Sequence, residues 1–482
     1  MDFPFFHLEG VGNRMLMAVI ATIHVFINHA LAVGLIPLVA ALEYLGYRKR
    51  KAGETNAEAY DRLAHKILRV GFIITTSLGA LTGVGIWFSA SLLNPAAIGS
   101  LIRVFYAAWF SEWFVFVLEV VAIMAFYLTW KRSTASLQSK KNHLRLGLAL
   151  SIFSFLTMVI IVAILSFMMD PGNWLSKSTF FNGMANPLYL PQLYFRTPVA
   201  MMMGGAAALL MALFFLKKNN PTRPSATSFI SLWILIWTPV CAAGALAYRA
   251  AIPETMLGNL PTAVTTHRFT SWYDTVLWVI LAVFLSSLLV SLWGFLKPRR
   301  LPRAALIIPM VALILLVGMF ERVREFIRKP YIIGNYMYAN GLRVRDYPLY
   351  KEQGIYPFIA FRKHASLSET NRVEVGQELF MAACSRCHTM AGINSVVDKF
   401  RDLSPEGTFI SAPDMSRFMG TMHKVRTYMP PFPGTGAELE ALAEFIFGFQ
   451  EKPVEIEGAQ HSGAVVPPGA LFFKLEEESD VH

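Results

Sequence analysis

Eight apolar stretches run through the first two thirds of the chain, and polar residues gather in the short intervals between them. They cover roughly 14–46, 66–90, 101–130, 144–169, 197–216, 226–250, 272–296 and 302–327. About 20 apolar residues in a helix span the hydrocarbon core of a bilayer, so the pattern predicts eight transmembrane helices. The first and third are overlong, which predicts tilt or a kink, with Pro37 the obvious place in the first. After residue 327 the pattern changes. Residues 331–363 are aromatic-rich without a sustained helical period and predict a linker, 331–367, on the outer surface of the membrane part. A compact polar domain is expected over 368–452, and a poorly ordered tail of Pro, Gly and acidic residues over 453–482. The expected fold is all-α: a polytopic transmembrane helix bundle over 1–330, then a small all-α domain.

Composition agrees, with 55% of the 482 residues hydrophobic and only 16% charged. The net charge of +11 changes the picture only through its placement. Basic residues cluster at 48–51, 131–132, 140–141, 217–218 with Arg223, and 297–303, while 91–100, 170–195 and 251–271 are nearly free of them. This alternation is a topology signal, and no nucleic-acid partner is expected. Positive-inside places the basic loops in the cytoplasm and the N-terminus outside. Eight crossings return the chain to the outside, the periplasmic side of a bacterial inner membrane, so the C-terminal domain is expected there. The start, MDFPFFHLEG, lacks the basic region of a cleavable signal peptide. Of three cysteines, Cys241 lies alone in an apolar run and reads as a small core residue, so no disulfide framework is expected.

The other two cysteines carry the first chemistry. Cys384-Ser385-Arg386-Cys387-His388 has the spacing of a covalent haem attachment site. Two thioethers one helical turn apart pin the porphyrin edge, and His388 reaches the iron as proximal ligand. A thioether is a common sixth ligand, and Met429 in RTYMPPFPG, a loop fixed by prolines, is the candidate. Met390, Met415, Met419, Met422 and His423 are its rivals. A helix leads into the motif (VEVGQELFMAACSRCH) and another follows the methionine loop, 437–449. The whole domain resembles class I cytochrome c. Covalent haem attachment takes place on the outer side of bacterial membranes, in agreement with the loop charges.

Ionisable residues inside apolar runs are costly and so mark function. His24 lies mid-way along the first run, a place where histidine commonly holds haem iron. His29 is about 140° further round the helix, so the two cannot easily face one haem. Arg14, near the outer end of the same run, could meet a haem propionate or snorkel to the interface. Glu112 and Glu119 fall on one stripe of the third run, about 10 Å apart along its axis. They suit a proton path or a ligand set, or else a salt bridge to an arginine such as Arg14. Glu325 and Arg328 share one face at the end of the last run and could form a surface ion pair.

Together these residues resemble subunit I of cytochrome bd-type quinol oxidases. Arg14 and His24 match an early Arg and a His ten residues later. Val117-Leu118-Glu119 through Trp130 matches the family's glutamate-bearing third helix, with Glu112 approximating the first of its two glutamates. Glu325-Phe-Ile-Arg328-Lys329-Pro330-Tyr331 is similar to its Glu-x-Gly-Arg-Gln-Pro-Trp motif. The resemblance covers roughly residues 10–340, patchily. It implies that His24 and Glu325 are axial ligands of two high-spin membrane haems of b or d type. It further implies that Glu112 and Glu119 ligate or handle protons nearby, and that Arg14 and Arg328 hold propionates. It also implies a second, subunit II-like membrane protein as partner, a quinol or periplasmic cytochrome as redox partner, and O2 as the substrate reduced, with NO as another candidate.

The chain departs from that family as well. Where the low-spin haem's His is expected stands Tyr-Phe-Arg196-Thr197-Pro, and where its Met is expected stands HRFTSWYD, 267–274, which offers only His267. The long external quinol-binding loop is missing, and Arg249 and Glu254 only faintly resemble its charged pair. Three expectations follow. The protein is a bd-like oxidase fed through the c haem, or a quinol dehydrogenase that delivers electrons outward through it, or a non-catalytic electron-transfer subunit.

Overall fold

The computed structural model describes residues 6–264, 272–404 and 410–451. Among these, eight helices are long and apolar enough to cross a membrane. They are α1 (Asn13–Lys51), α2 (Ala57–Leu93), α4 (Tyr106–Leu128), α5 (Leu137–Met169), α6 (Tyr189–Phe215), α7 (Thr222–Ala251), α8 (Leu277–Leu296) and α9 (Arg303–Ile327). A short helix, α3 (Pro95–Val104), lies between the second and third.

The overlong runs resolve in two ways. Residues Asn28–Gly34 of α1 form a π-helical turn just before Pro37. Pro37 has no N–H for the Val33 carbonyl and crowds the turn before it, so the irregularity falls upstream of the proline and not on it. The third run breaks at Phe105, whose non-helical backbone separates α3 from α4. Residues 95–100, expected in a loop, are thus helical.

The chain divides into two compact units. One comprises Ile20–Ile86 and Leu101–Arg328. At its centre lies α6, the most covered span. Its small residues let backbones approach: Gly204 faces Gly34 of the π turn so closely that a Cβ on either would collide with the other helix. Close contact through small residues is how membrane helices gain packing without a hydrophobic drive.

The same unit contains an ion cluster that ties α1, α2 and α5. Lys140, fully buried, stands 2.6 Å from Glu43 and 3.0 Å from Asp61. His143 Nδ1 lies 2.6 Å from Glu43 Oε1, and its Nε2 lies 2.8 Å from the Phe126 carbonyl. Arg50 approaches Asp61 at 3.7 Å. Lys140, expected as a basic loop residue, is therefore inside a helix that starts at Leu137.

The other unit comprises Met1–Val19, Trp87–Ser100 and Lys329–His482. Its helices are α10 (Tyr347–Gln353), α11 (Arg372–Ala383), α12 (Val396–Arg401), α13 (Ala412–Val425) and α14 (Gly436–Glu451). α11 crosses α14 at Gly376, where a Cβ would strike the Ala441 carbonyl and Phe445. Val375, Leu379, Phe380, Leu442 and Ile446 form the core around that crossing.

The expected linker 331–367 is folded into this unit. Strands β1 (Tyr331–Ile333) and β2 (Met337–Tyr338) pair antiparallel. Ile355, Tyr356 and Ile359 join the same core as α11 and α14. The buried Glu438 carboxylate accepts the N–H groups of Ile355 (3.0 Å), Tyr356 (2.8 Å) and Thr435 (3.0 Å). Tertiary hydrogen bonds, not local periodicity, give this segment its order.

Candidate functional site

The haem attachment motif begins where α11 ends. The Cys387 and His388 amides both return to the Cys384 carbonyl at 3.0 Å, closing a turn that brings the two thiols to one side. Burial, with Cys387 alongside, pushes the Cys384 thiol up to about 12. His388 Nδ1 donates to the Asn394 carbonyl at 3.1 Å, which leaves Nε2 as the nitrogen for an iron. A ligating histidine is commonly held this way through its second nitrogen. Burial, aided by the charges of Lys399, Lys329 and Arg14, holds His388 down to about 4 despite that hydrogen bond. The neutral imidazole, the form that binds a metal, is thereby favoured.

The methionines separate by their surroundings. Met390, Met415 and Met419 are buried in the domain core, and Met422 packs against it. Met429 lies outside that core, half-buried. His423 Nδ1 donates to the Met429 carbonyl at 2.6 Å, so this rival ligand secures the loop that carries Met429. Paired thiols, a neutral histidine and a methionine free of core packing fit a covalently bound haem.

In the other unit, His24 lies half-buried on α1 with Nδ1 3.1 Å from the Thr82 hydroxyl of α2 and 3.0 Å from the Asn28 amide. Gly83 lies against its ring. His29 meets a different helix: Arg196 Nη1 of α6 donates to its Nε2 at 3.3 Å. Glu112 and Glu119 both lie on α4. Glu119 accepts hydrogen bonds from Ser154 (2.6 Å) and Thr157 (3.2 Å) of α5. α2 and α4 are the least covered spans, with 22% and 17% of their apolar windows buried against 72% for α6. Glu325 is half-buried in the last turn of α9, and Arg328 is buried just beyond its end. Arg14 belongs to the unit of the attachment motif, within electrostatic reach of His388.

Sequence reasoning missed Glu321 and Arg324. Glu321 Oε1 lies 2.6 Å from Arg196, and its Oε2 lies 2.9 Å from Arg324. The three-residue spacing of Glu321 and Arg324 signals a same-face pair, but Glu325 and Arg328 have that spacing too, and only α6 distinguishes them. It also missed the Glu43–Lys140 cluster, whose lysine sits in a basic run typical of a loop. His267 lies outside the described residues.

Residues 371–446 match the family model described as cytochrome c oxidase, cbb3-type, subunit III. No curated protein matches the chain. Among solved structures, a chain of the bd oxidase from Geobacillus thermodenitrificans is similar with a TM-score of 0.55 and 19% identity. The match covers 69% of this chain and 90% of that one. At this identity the likeness speaks for the fold. The chain joins a membrane part of bd-oxidase fold to a cytochrome c domain. It is an almost wholly helical, multi-pass membrane protein, and its C-terminal domain is built for electron transfer through covalent haem c.

Proposed function

We propose that this protein is a bd-like respiratory oxidase in which haem c relays electrons from a periplasmic donor to a membrane haem pair that reduces O2. The observation that carries the reading is the presence, in one chain, of a covalent haem site and a bd-oxidase fold. Cys384 and Cys387 hold haem c by thioethers, His388 and Met429 ligate its iron, and these residues face the periplasm together with the N-terminus. His24 and Glu325 are the candidate ligands of the membrane haems, which when bound supply electron storage and O2 reduction. Arg14 and Arg328 are cations suited to propionates. Glu119, which accepts hydrogen bonds from Ser154 and Thr157, and Glu112, two turns away on α4, are the candidate proton carriers. A subunit II-like membrane protein is the expected partner.

An optical spectrum of the purified protein with and without CO, with haem extraction, tests this. High-spin b or d bands that shift with CO are expected beside the c band. Only low-spin b and c bands, inert to CO, would overturn the oxidase reading in favour of quinol dehydrogenation or simple electron transfer.

A further inference from the structure

Three distant parts of the sequence converge on the haem attachment motif within one unit. The N-terminal segment is bonded along the loop that follows the motif. Glu9 Oε1 accepts the Ala391 N–H at 2.7 Å, and the Gly10 carbonyl accepts the Ile393 N–H at 3.1 Å. Gly392, between them, lies so close to the Glu9 and Gly10 carbonyls that any side chain would strike backbone. Gly12, at φ +79°, turns the segment into α1 beside Thr389. His7 sets its ring edge-on to Phe380 at 6.1 Å.

The second part is the end of α2. Arg386, inside the motif, is half-buried and donates to the Leu93 carbonyl. The last carbonyls of a helix lack helical partners and carry the negative end of its dipole. They therefore suit a guanidinium, and burial alone pulls Arg386 down to about 10. The third part is the stretch after α9: Lys329 Nζ reaches Cys387 Sγ at 3.5 Å, and Asn94 donates to the Ala339 carbonyl at 3.4 Å.

A domain hung on a flexible tether has no use for an arginine in its haem motif bonded to the end of a distant helix, or for a glycine pressed against the backbone of the N-terminal segment. We propose that the cytochrome domain is permanently docked, with Arg386 and Glu9 as positioning residues that latch its haem motif to the C-terminal end of α2 and the N-terminal approach to α1. The haem motif is then held against these two chain segments of its own unit and does not swing free of them. The docking stands on these contacts; its purpose, electron entry at a set distance, rests on the proposed function.

Hydrogen exchange on the full-length haem-loaded protein tests the docking directly. The Ala391 and Ile393 amides should be protected. In Glu9→Ala and Arg386→Ala they should exchange at least tenfold faster while covalent haem c content is unchanged. Rapid exchange of both amides in the wild type, or unchanged protection in Glu9→Ala, overturns the proposal. Glu9 lies outside the motif, so that variant decides the matter if Arg386→Ala impairs haem attachment. Turnover with a reduced soluble cytochrome as donor should fall about tenfold in Arg386→Ala and largely recover in Arg386→Lys. If the CO spectrum refutes the oxidase, the exchange result still stands or falls by itself.

Discussion

Lys140 offers the sharpest test of what holds the membrane bundle together. Its ammonium, with no solvent exposure, lies between Glu43 and Asp61 and 4.7 Å over the Trp130 ring. Lys140→Met keeps most of the side-chain volume and removes only the charge. Two carboxylates on α1 and α2 then lose their shared cation. Asp61 keeps Arg50 at 3.7 Å, whereas Glu43 keeps the His143 ring at 2.6 Å. Removing one partner of a buried ion pair costs about 3–5 kcal/mol, because the remaining charge stays desolvated. Some of that is recovered through Arg50 and His143, so about 3 kcal/mol is expected. For a unit of this size the thermal midpoint should fall by about 5 °C or more. Differential scanning fluorimetry in detergent measures it. Lys140→Met/Glu43→Gln should regain most of the loss, since it removes the stranded charge as well, and paired removal of buried ions is often nearly neutral. An unchanged midpoint in the single variant, or a double variant no better than the single, would refute the reasoning.

The haem domain gives two further tests. Met429→Ala should retain covalent haem c, shown by haem staining of a denaturing gel. Its midpoint potential should fall, because a thioether ligand raises it, and His423→Phe should leave the ligand set spectrally intact while loosening the loop. Glu438→Ala strips three N–H groups, two of them buried, of one carboxylate. It should lower the stability of this domain by about 3 kcal/mol, since hydrogen bonds to a charged acceptor are individually worth about 1.5–3 kcal/mol; thermal loss of the folded haem c spectrum reads it.

The eight spans were legible because each is a continuous apolar run, and hydrocarbon tolerates little else. Their ends were not. The first two turns of α5 read Leu-Gln-Ser-Lys-Lys-Asn-His, a typical loop, and are helical with Lys140 and His143 turned into the bundle, where Glu43 and Asp61 on other helices neutralise Lys140. Residues 331–367 looked loose for a related reason: their order comes from Glu438, far along the chain. The haem attachment site was legible because Cys384, Cys387 and His388 carry their chemistry within five consecutive residues. That Met390, Met415 and Met419 lie buried in the core while Met429 lies outside it was not legible, since burial depends on the whole domain. The clasp of Glu9 and Arg386 had no local signature, since each partner is a backbone group.

The buried arginine at the start of the bundle's central helix bears on how electrons enter. The bd-type resemblance leads one to expect a histidine ligand of a low-spin haem near Arg196. The structure binds that guanidinium to Glu321 at 2.6 Å and to His29 at 3.3 Å, on three different helices. A guanidinium cannot ligate iron, and His29 uses its Nε2 to accept from it. Glu321 is shared with Arg324, so releasing Arg196 would strand charge inside the bundle. The ion cluster thus stands as a structural fixture where the resemblance expects a ligand for an electron-accepting haem. In the proposed oxidase, electrons need another way in, and the haem domain fused to this chain supplies it.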